Sequence, residues 1–470
     1  PKFLFFTCAY QYNGKNHDCS LTIEYVLQHI DSIIDCLGFD LGVLQTQNSW
    51  PIYDEQKVLQ TKDLNLTFEA TDFDHPVYVL FSSGTTGIPK CIIHTVGGTL
   101  LQHKKELVLH GDLSVDDRFF FYTTCGWMMW NWMVSSLSVG SCLVTYEGSP
   151  SAFGEDGLWE FVEEKEITVF GTSPKFVSWA MKKQSEPNKN CDFRKLKTLF
   201  STGSPLLPEH YEWIYKNIKN NVFVSSISGG TDIISCFVLG NILLPVHQGE
   251  IQAPGLGMDV VAVDEKMSSL LDQKGELICR QPFPSMPLGF VDDPDDRRYL
   301  NAYFNRYKKM QVWHHGDFIQ ISSQTGGIKM LGRSDAILNP GGIRMGTSEL
   351  YRQVEKMSVI QDSIAVACTQ KDGDVAVLLC VKIRSDASYD KKLEDKIRQL
   401  IRHELTPRHV PKWIFEVHHI PYTRSGKKVE VAARQAVHGE DVVNKSALSN
   451  PEALSEFYAI GKKLVPGGLS

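Results

Sequence analysis

Short runs of β-branched and aromatic residues alternate along this chain with helical patterns: Val77 to Phe81, Gly98 to Leu109, Phe119 to Tyr122, then Thr168 to Gly171, Lys197 to Thr202 and Val222 to Ser226. The rhythm predicts an α/β fold, because a strand that is apolar along its whole length has to be covered on both faces. In open sheets of this kind, ligands bind beyond the carboxyl ends of the strands. Polar strings stand at those ends after Phe81, Phe200 and Ser226, so one crevice can collect them.

The first of these strings is Ser82-Ser83-Gly84-Thr85-Thr86-Gly87-Ile88-Pro89-Lys90. Glycines let backbone N–H groups approach phosphate oxygens, the hydroxyls add donors, and Lys90 adds positive charge, so the string suits a polyphosphate such as that of ATP. It is not a P-loop, which needs four residues between its glycines and a Lys-Ser/Thr pair. An ordinary polar loop between strand and helix has a similar composition.

Composition sets outer limits. The chain has 470 residues, 42% hydrophobic and 22% charged, enough to bury a large core in two to roughly four domains. A net charge of -7 and a pI near 6.1 give no electrostatic reason to expect nucleic acid as a partner. The 11 cysteines are scattered without a Cys-x-x-Cys pair, which fits a reduced, cytosolic chain better than a disulfide framework or a zinc site. His314-His315 and His418-His419 lack companion ligand spacing and read as solvated or structural. The uncharged stretch from Phe119 to Tyr146 is long enough to span a bilayer, but Asn131, its serines and its glycines dilute it. A buried helix followed by a buried strand over Ser141 to Tyr146 is the expectation, with no membrane span.

Past Gly332-Arg333 the pattern changes. Ser363 to Thr369 and Val375 to Ile383 flank Lys371-Asp372-Gly373-Asp374, a hairpin signal. Leu393, Ile397, Leu400 and Ile401 recur on one face of a helix over Tyr389 to Leu405, ended by Thr406-Pro407, and Trp413 to Val417 reads as a strand. Pro421 to Lys427 reads as an exposed polar loop. Residues 1–333 are therefore expected to form a large domain and 334–470 a small α+β domain.

Three smaller features carry chemistry. Asp317, after a glycine in Trp313 to Phe318, is a carboxylate that can accept two hydrogen bonds from the vicinal hydroxyls of a ribose, although a lone Gly-Asp is usually a turn. Arg333 and Asp335 place a guanidinium and a second carboxylate at the apparent boundary, where an exposed ion pair alone would contribute little. Lys427 follows Gly426, and a mobile lysine can swing onto a phosphate.

Together these strings resemble the adenylate-forming superfamily of acyl-CoA synthetases, luciferases and peptide-synthetase adenylation domains. From about Phe73 to the tail they are most similar to its acetoacetyl-CoA synthetase family: Gly97 to His103, Gly126 to Val134, Ser201 to Pro205, Ser226 to Ser235 and Gly426 to Val431 all match in register. The resemblance implies a large domain of stacked β-sheets with helices, a small mobile domain, and ATP, Mg²⁺ and CoA as reactants or cofactors. It implies that Ser82, Ser83, Gly84, Thr85, Thr86, Gly87 and Lys90 embrace the triphosphate, that Gly203, Ser204 and Pro205 border the adenine, and that Thr231 meets the α-phosphate. Asp232 would help hold Mg²⁺, Asp317 and Arg333 would take the ribose, Arg344 would approach the phosphate, and Arg402 would lie near CoA. Lys427 would be the catalytic lysine of adenylation and Asp335 the hinge.

The implied substrate is acetoacetate. Acetyl-CoA synthetases carry a tryptophan at the position of Gly229, so Gly229, with Gly230, would leave room for a longer acid whose keto oxygen meets Ser228 or Trp130; a tight turn also explains both glycines. Only Pro1 to Val77 precede the phosphate loop, fewer residues than this family carries, and Pro1 to Gln60 resemble it poorly. An incomplete first sheet layer is therefore expected. A related ligase for another acid and a chain that binds nucleotide without turnover remain open alternatives.

Overall fold

The computed structural model describes residues 1–44, 50–52, 67–82, 90–152, 154–307, 310–336, 338–340, 345–370, 375–424, 426–442 and 444–464. The expected α/β alternation builds a five-stranded parallel sheet, in spatial order Phe223–Ser226, Thr198–Ser201, Val169–Thr172, Arg118–Phe121 and Cys142–Leu143. Thr198 pairs with both Val169 and Phe223, which brings Thr172, Ser201 and Ser226 level at the carboxyl edge. Helices cover the sheet, as its unbroken apolar runs require. One is Pro174–Lys182, started by the Ser173 hydroxyl, which accepts from Phe176 N at 3.3 Å; it buries Phe176, Val177 and Ala180. The strand expected over Ser141 to Tyr146 is shorter, Cys142–Leu143, and half exposed, because it lies at the sheet edge.

Two further sheets flank the site. Pro76–Ser82 runs antiparallel to Lys90–Thr95 and pairs Ser82 with Lys90. A five-stranded antiparallel sheet ends in Trp313–Ile321 and Ile328–Arg333. At the N-terminus Phe3–Thr7 pairs in parallel with Asp35–Phe39 in a sheet of two strands. No helix among the described residues is long and apolar enough to cross a membrane.

The C-terminal part has its own cores. Ile360–Thr369 and Val375–Ile383 form the antiparallel pair, with their turn outside the described residues, and Trp413–Glu416 adds in parallel. Successive residues of a strand point to opposite faces. Ile364, Val366, Leu378 and Cys380 accordingly pack with helices Glu430–Val437 and Leu454–Leu464, while Ala365, Val377, Leu379 and Val381 pack with Thr347–Val354 and Lys391–Glu404. Each fully buried Leu, Ile or Phe there contributes about 1.5–3 kcal/mol. The fold is thus a large N-terminal unit of stacked sheets and helices with a small C-terminal α+β unit.

Candidate active site

The antiparallel strands Pro76–Ser82 and Lys90–Thr95 fix one wall. Residues 83–89, and with them Ser83, Gly84, Thr85, Thr86 and Gly87, lie outside the described residues. Ser82 ends its strand with a buried hydroxyl that has no hydrogen-bond partner among the described residues. Lys90 opens the next strand, and its ammonium lies 2.9 Å from Asp232 Oδ1 and 3.4 Å from the Tyr303 hydroxyl. Tyr303 donates to that same Asp232 oxygen. Burial alone would raise the Asp232 pKa, but Lys90, His315 and the Tyr303 bond outweigh it and hold the carboxyl below its usual range, so it stays anionic.

Thr231 and Asp232 sit on a single 3₁₀ turn, Thr231–Ile233, clamped by two buried histidines. His94 Nε2 lies 3.0 Å from Thr231 O, and His103 Nε2 bonds Ile234 O. A carbonyl only accepts, so both nitrogens donate. Burial lowers the His94 pKa to about 4, against the opposing pull of the Thr231 bond and Asp232, which keeps the ring neutral near pH 7. Ile234 closes the turn at φ 46°, a left-handed conformation that costs a β-branched residue of order 1–3 kcal/mol and persists only where its surroundings impose it.

Asp317 and Arg333 face each other in register on neighbouring strands, with Arg333 Nη1 3.3 Å from Asp317 Oδ1 and 3.1 Å from His315 O. His315 Nε2 is 3.7 Å from Asp317 Oδ2. Gly316 has φ 83°, and a Cβ built there would meet Arg333 Nη2 at 2.8 Å, so the guanidinium occupies the space a side chain would need. Arg333 Nε also approaches Asp335 at 3.6 Å, and Asp335 lies in the 3₁₀ turn Ser334–Ala336 that leads into the C-terminal part.

Thr231 also lines a narrow cavity of about 40 Å³, together with Trp127, Met128, Met129, Trp132, Gly203, Gly229, Gly230 and Lys427. Gly203 takes φ 102° and lies against the Trp127 ring; Ser204 is exposed and Pro205 half-buried beside it. Gly229 is locked differently, because a Cβ there would meet Ser235 O at 2.1 Å and Cys236 Cα at 2.3 Å across the hairpin Ser228–Gly230/Ser235–Leu239. Behind the wall the buried Glu106 accepts from Trp132 Nε1 at 2.9 Å, Ser235 Oγ at 2.5 Å and Gln102 Nε2 at 2.8 Å. A larger surface depression of about 520 Å³ around Asn188, Lys216 and Asn221 is open to solvent and gathers no convergent chemistry.

Lys427 reaches the cavity from the C-terminal part. The segment expected as an exposed loop is a tight hairpin: Thr423 N donates to Lys427 O at 2.8 Å, Lys427 N to Thr423 Oγ1 at 3.0 Å, and Pro421 and Thr423 are buried. The next residue, Lys428, anchors it with Nζ 2.5 Å from Glu355, 2.9 Å from Asp362 and 2.6 Å from Ser363 O. Lys427 itself stays accessible at the cavity mouth. Surrounding protein lowers its pKa and Arg333 lowers it further, against the pull of Asp317 and Asp232.

Comparison with known proteins follows the same outline. The AMP-binding enzyme family matches residues 18–288. Acetoacetyl-CoA synthetase of Xenopus tropicalis is 46% identical over 469 residues, covering 98% of this chain and 70% of that protein. The acetoacetyl-coenzyme A synthetase of Rhizobium meliloti (strain 1021) is 45% identical over 465 residues, covering 98% and 70%. The solved acetoacetyl-CoA synthetase from Streptomyces lividans superposes with a TM-score of 0.91 at 37% identity, over 98% of this chain and 71% of that one. The chain belongs to the acetoacetyl-CoA synthetase family. An anthranilate CoA ligase shares the fold, with a TM-score of 0.73 at 17% identity over 93% of this chain and 78% of that one.

The matches to acetoacetyl-CoA synthetases cover 98% of the chain and so take in most of Pro1 to Gln60, the stretch read as resembling the family poorly. Gly203, Gly229, Gly230, Thr231 and Lys427 line one cavity; Lys90 pairs with Asp232 beside Thr231, Ser82 is the strand partner of Lys90, and Asp317 and Arg333 lie near enough to Lys427 to act on its charge. Trp130 and Ser228 are not among the residues lining the cavity; Trp130 packs with the core beside it, and Trp127, Met128, Met129 and Trp132 face the space instead. Arg402 stands exposed on the last turn of Lys391–Glu404, and Arg344 lies outside the described residues. Sequence reasoning missed Tyr303, His94 and Glu106 and left His315 as a structural histidine, and nothing in their local patterns marks them.

Proposed function

We propose that this chain is an ATP-dependent acetoacetate:CoA ligase working through an acyl-adenylate. One observation carries the reading: Lys427, from the C-terminal part, opens onto the same cavity as Gly203 and Thr231 of the N-terminal part. The acetoacetate carboxylate attacks the α-phosphorus of ATP, the bond to diphosphate breaks, and acetoacetyl-AMP forms. The thiolate of CoA then attacks the acyl carbon and expels AMP. In the first step negative charge grows on the phosphoryl oxygens, and the Lys427 ammonium stabilises it electrostatically.

Other roles follow from position. The hydroxyl of Ser82 and the ammonium of Lys90 face the triphosphate, Thr231 meets the α-phosphate, Asp317 accepts from the ribose hydroxyls, and Gly203 borders the adenine. Mg²⁺ fits Asp232, a carboxylate held anionic, because this ion commonly takes one or two carboxylates plus substrate phosphates. When bound it supplies charge neutralisation at the phosphate oxygens. We place the boundary between the units at 333/334, with Asp335 as hinge; Arg402 meets CoA only if the small unit turns about it. The 11 scattered cysteines, with no Cys-x-x-Cys pair, support a reducing compartment, and we place the protein in the cytosol.

A panel of short acids, scored by CoA thioester and AMP formation, tests the reading. Acetoacetate is expected to give the highest kcat/KM; a preference for acetate or a medium-chain acid would reassign the substrate within the same chemistry.

A further inference from the structure

The Tyr303 hydroxyl, on Asp232 next to the cavity-lining Thr231, has no purpose in the reading above. Tyr303 is 2% exposed and closes the helix Arg297–Tyr303. Its ring stacks on Trp313 with centroids 3.9 Å apart at 13°, and it packs against Phe290 and Tyr299. That packing alone would be served by phenylalanine. The hydroxyl instead ends on Asp232 Oδ1, while the Lys90 ammonium lies 3.4 Å from it. The ammonium can only donate, so the hydroxyl accepts from Lys90 and donates its own O–H to the carboxylate.

The bonds from Lys90 and Tyr303 to Asp232 both end on Oδ1. Oδ2 points toward the space beside Gly230, where a built Cβ would sit 3.4 Å from Oδ2 and 3.4 Å from His315. We propose that Tyr303 is a positioning residue that pins one oxygen of Asp232, so that the other stays aimed at the Mg²⁺ of the bound nucleotide while Lys90 exchanges the carboxylate for a phosphate. The proposal rests on the nucleotide part of the function above and not on the identity of the acid. Lys90 serves as an internal counter-ion for Asp232, and a hydroxyl that does not move with the nucleotide keeps the carboxylate in place when that counter-ion leaves.

The test is Tyr303→Phe, which keeps the ring stack, with binding followed by the fluorescence of the tryptophans at the site. In the absence of acid, the Kd for Mg·ATP is expected to rise about tenfold, as for loss of one hydrogen bond to a charged group, while the Kd for ATP in EDTA stays unchanged. In turnover the half-saturating Mg²⁺ rises by the same factor, with KM for acetoacetate unaltered. Added to Asp232→Asn, Tyr303→Phe has no further effect if the hydroxyl acts through that carboxylate. Equal weakening of ATP with and without Mg²⁺, or wild-type binding by the variant, would overturn the proposal. If the single variant does not fold, the comparison of Asp232→Asn with the double variant decides, and an additive loss there would also overturn it. Wild-type binding of Mg·ATP without acetoacetyl-CoA formation would remove the acid assignment alone, whereas no binding of Mg·ATP by the wild type would overturn both.

Discussion

Arg333 Nη1 lies 3.3 Å from Asp317 Oδ1 because the two residues occupy one register position on adjacent antiparallel strands. The pair presents a guanidinium and a carboxylate at the mouth of the cavity, with Lys427 near enough for both to act on its pKa. Asp317→Asn keeps the shape and removes the charge. KM for ATP is expected to rise about ten- to hundredfold, the scale of a lost hydrogen bond to an ionised group, with little change in KM for the acid. Steady-state kinetics with each substrate varied in turn checks this.

Gly229 offers a second prediction. Its role was read from sequence as room for a longer acid, and it does line the cavity, but its Cβ direction runs into Ser235 O and Cys236 Cα. Backbone cannot yield as a flexible side chain does. Gly229→Ala is therefore expected to destabilise the protein by about 1–3 kcal/mol and to lower turnover of every acid in parallel. Thermal unfolding with an acid panel distinguishes this from a selectivity switch; an unchanged Tm with a clean gain of acetate activity would show that the pocket and not the hairpin governs the position.

Acid lability is expected from buried neutral histidines. His210 Nδ1 accepts from Leu207 N at 3.0 Å, so its other nitrogen carries the proton toward Ser178, and burial, helped by Lys182, lowers its pKa to about 4; His94 is likewise at about 4. Above pH 6.5 neither state of the chain binds a proton at these rings. As pH falls from 6.5 to 4 the unfolded chain takes up protons that the native one refuses, so stability drops by about 1.4 kcal/mol per pH unit for each fully responsive histidine. Urea unfolding between pH 7 and 4 reads the slope, and His210→Gln should flatten it.

The strands, the positions of Asp317 and Arg333 and that of the C-terminal lysine were legible because each leaves a local mark: an apolar run, a Gly-Asp or Gly-Arg string, a Gly-Lys after a turn. Tyr303, His94 and His315 leave none. Their meaning comes from partners far along the chain, Asp232 for Tyr303 at a separation of 71 residues and Thr231 for His94 at 137, and a tyrosine ending an amphipathic helix looks the same whether its hydroxyl meets water or a buried carboxylate. The loop over Pro421 to Lys427 is exposed at Arg424 and Lys427, as read, but Pro421 and Thr423 are buried, and the segment is tied down by Tyr422 on Asp362 and by Lys428 on Glu355 and Asp362, which sequence proximity does not reveal.

Lys427 also sets a pH limit. Its pKa is lowered by the surrounding protein, so the ammonium is lost at a pH below that of an ordinary lysine. The alkaline limb of the adenylation rate should fall correspondingly early, and Lys427→Arg, if active, should move that limb upward. A limb unmoved by the arginine would assign it to another group.

Acid-dependent release of diphosphate from Mg·ATP, with acetoacetate against acetate and Lys427→Ala against wild type, tests the central claim most directly. Release without CoA that is strongest with acetoacetate, and about 10²–10³-fold lower in Lys427→Ala as expected for loss of one electrostatic stabiliser, is the predicted result. Folded wild-type protein that binds Mg·ATP yet releases no diphosphate with any acid, or a Lys427→Ala variant as fast as wild type, would contradict it.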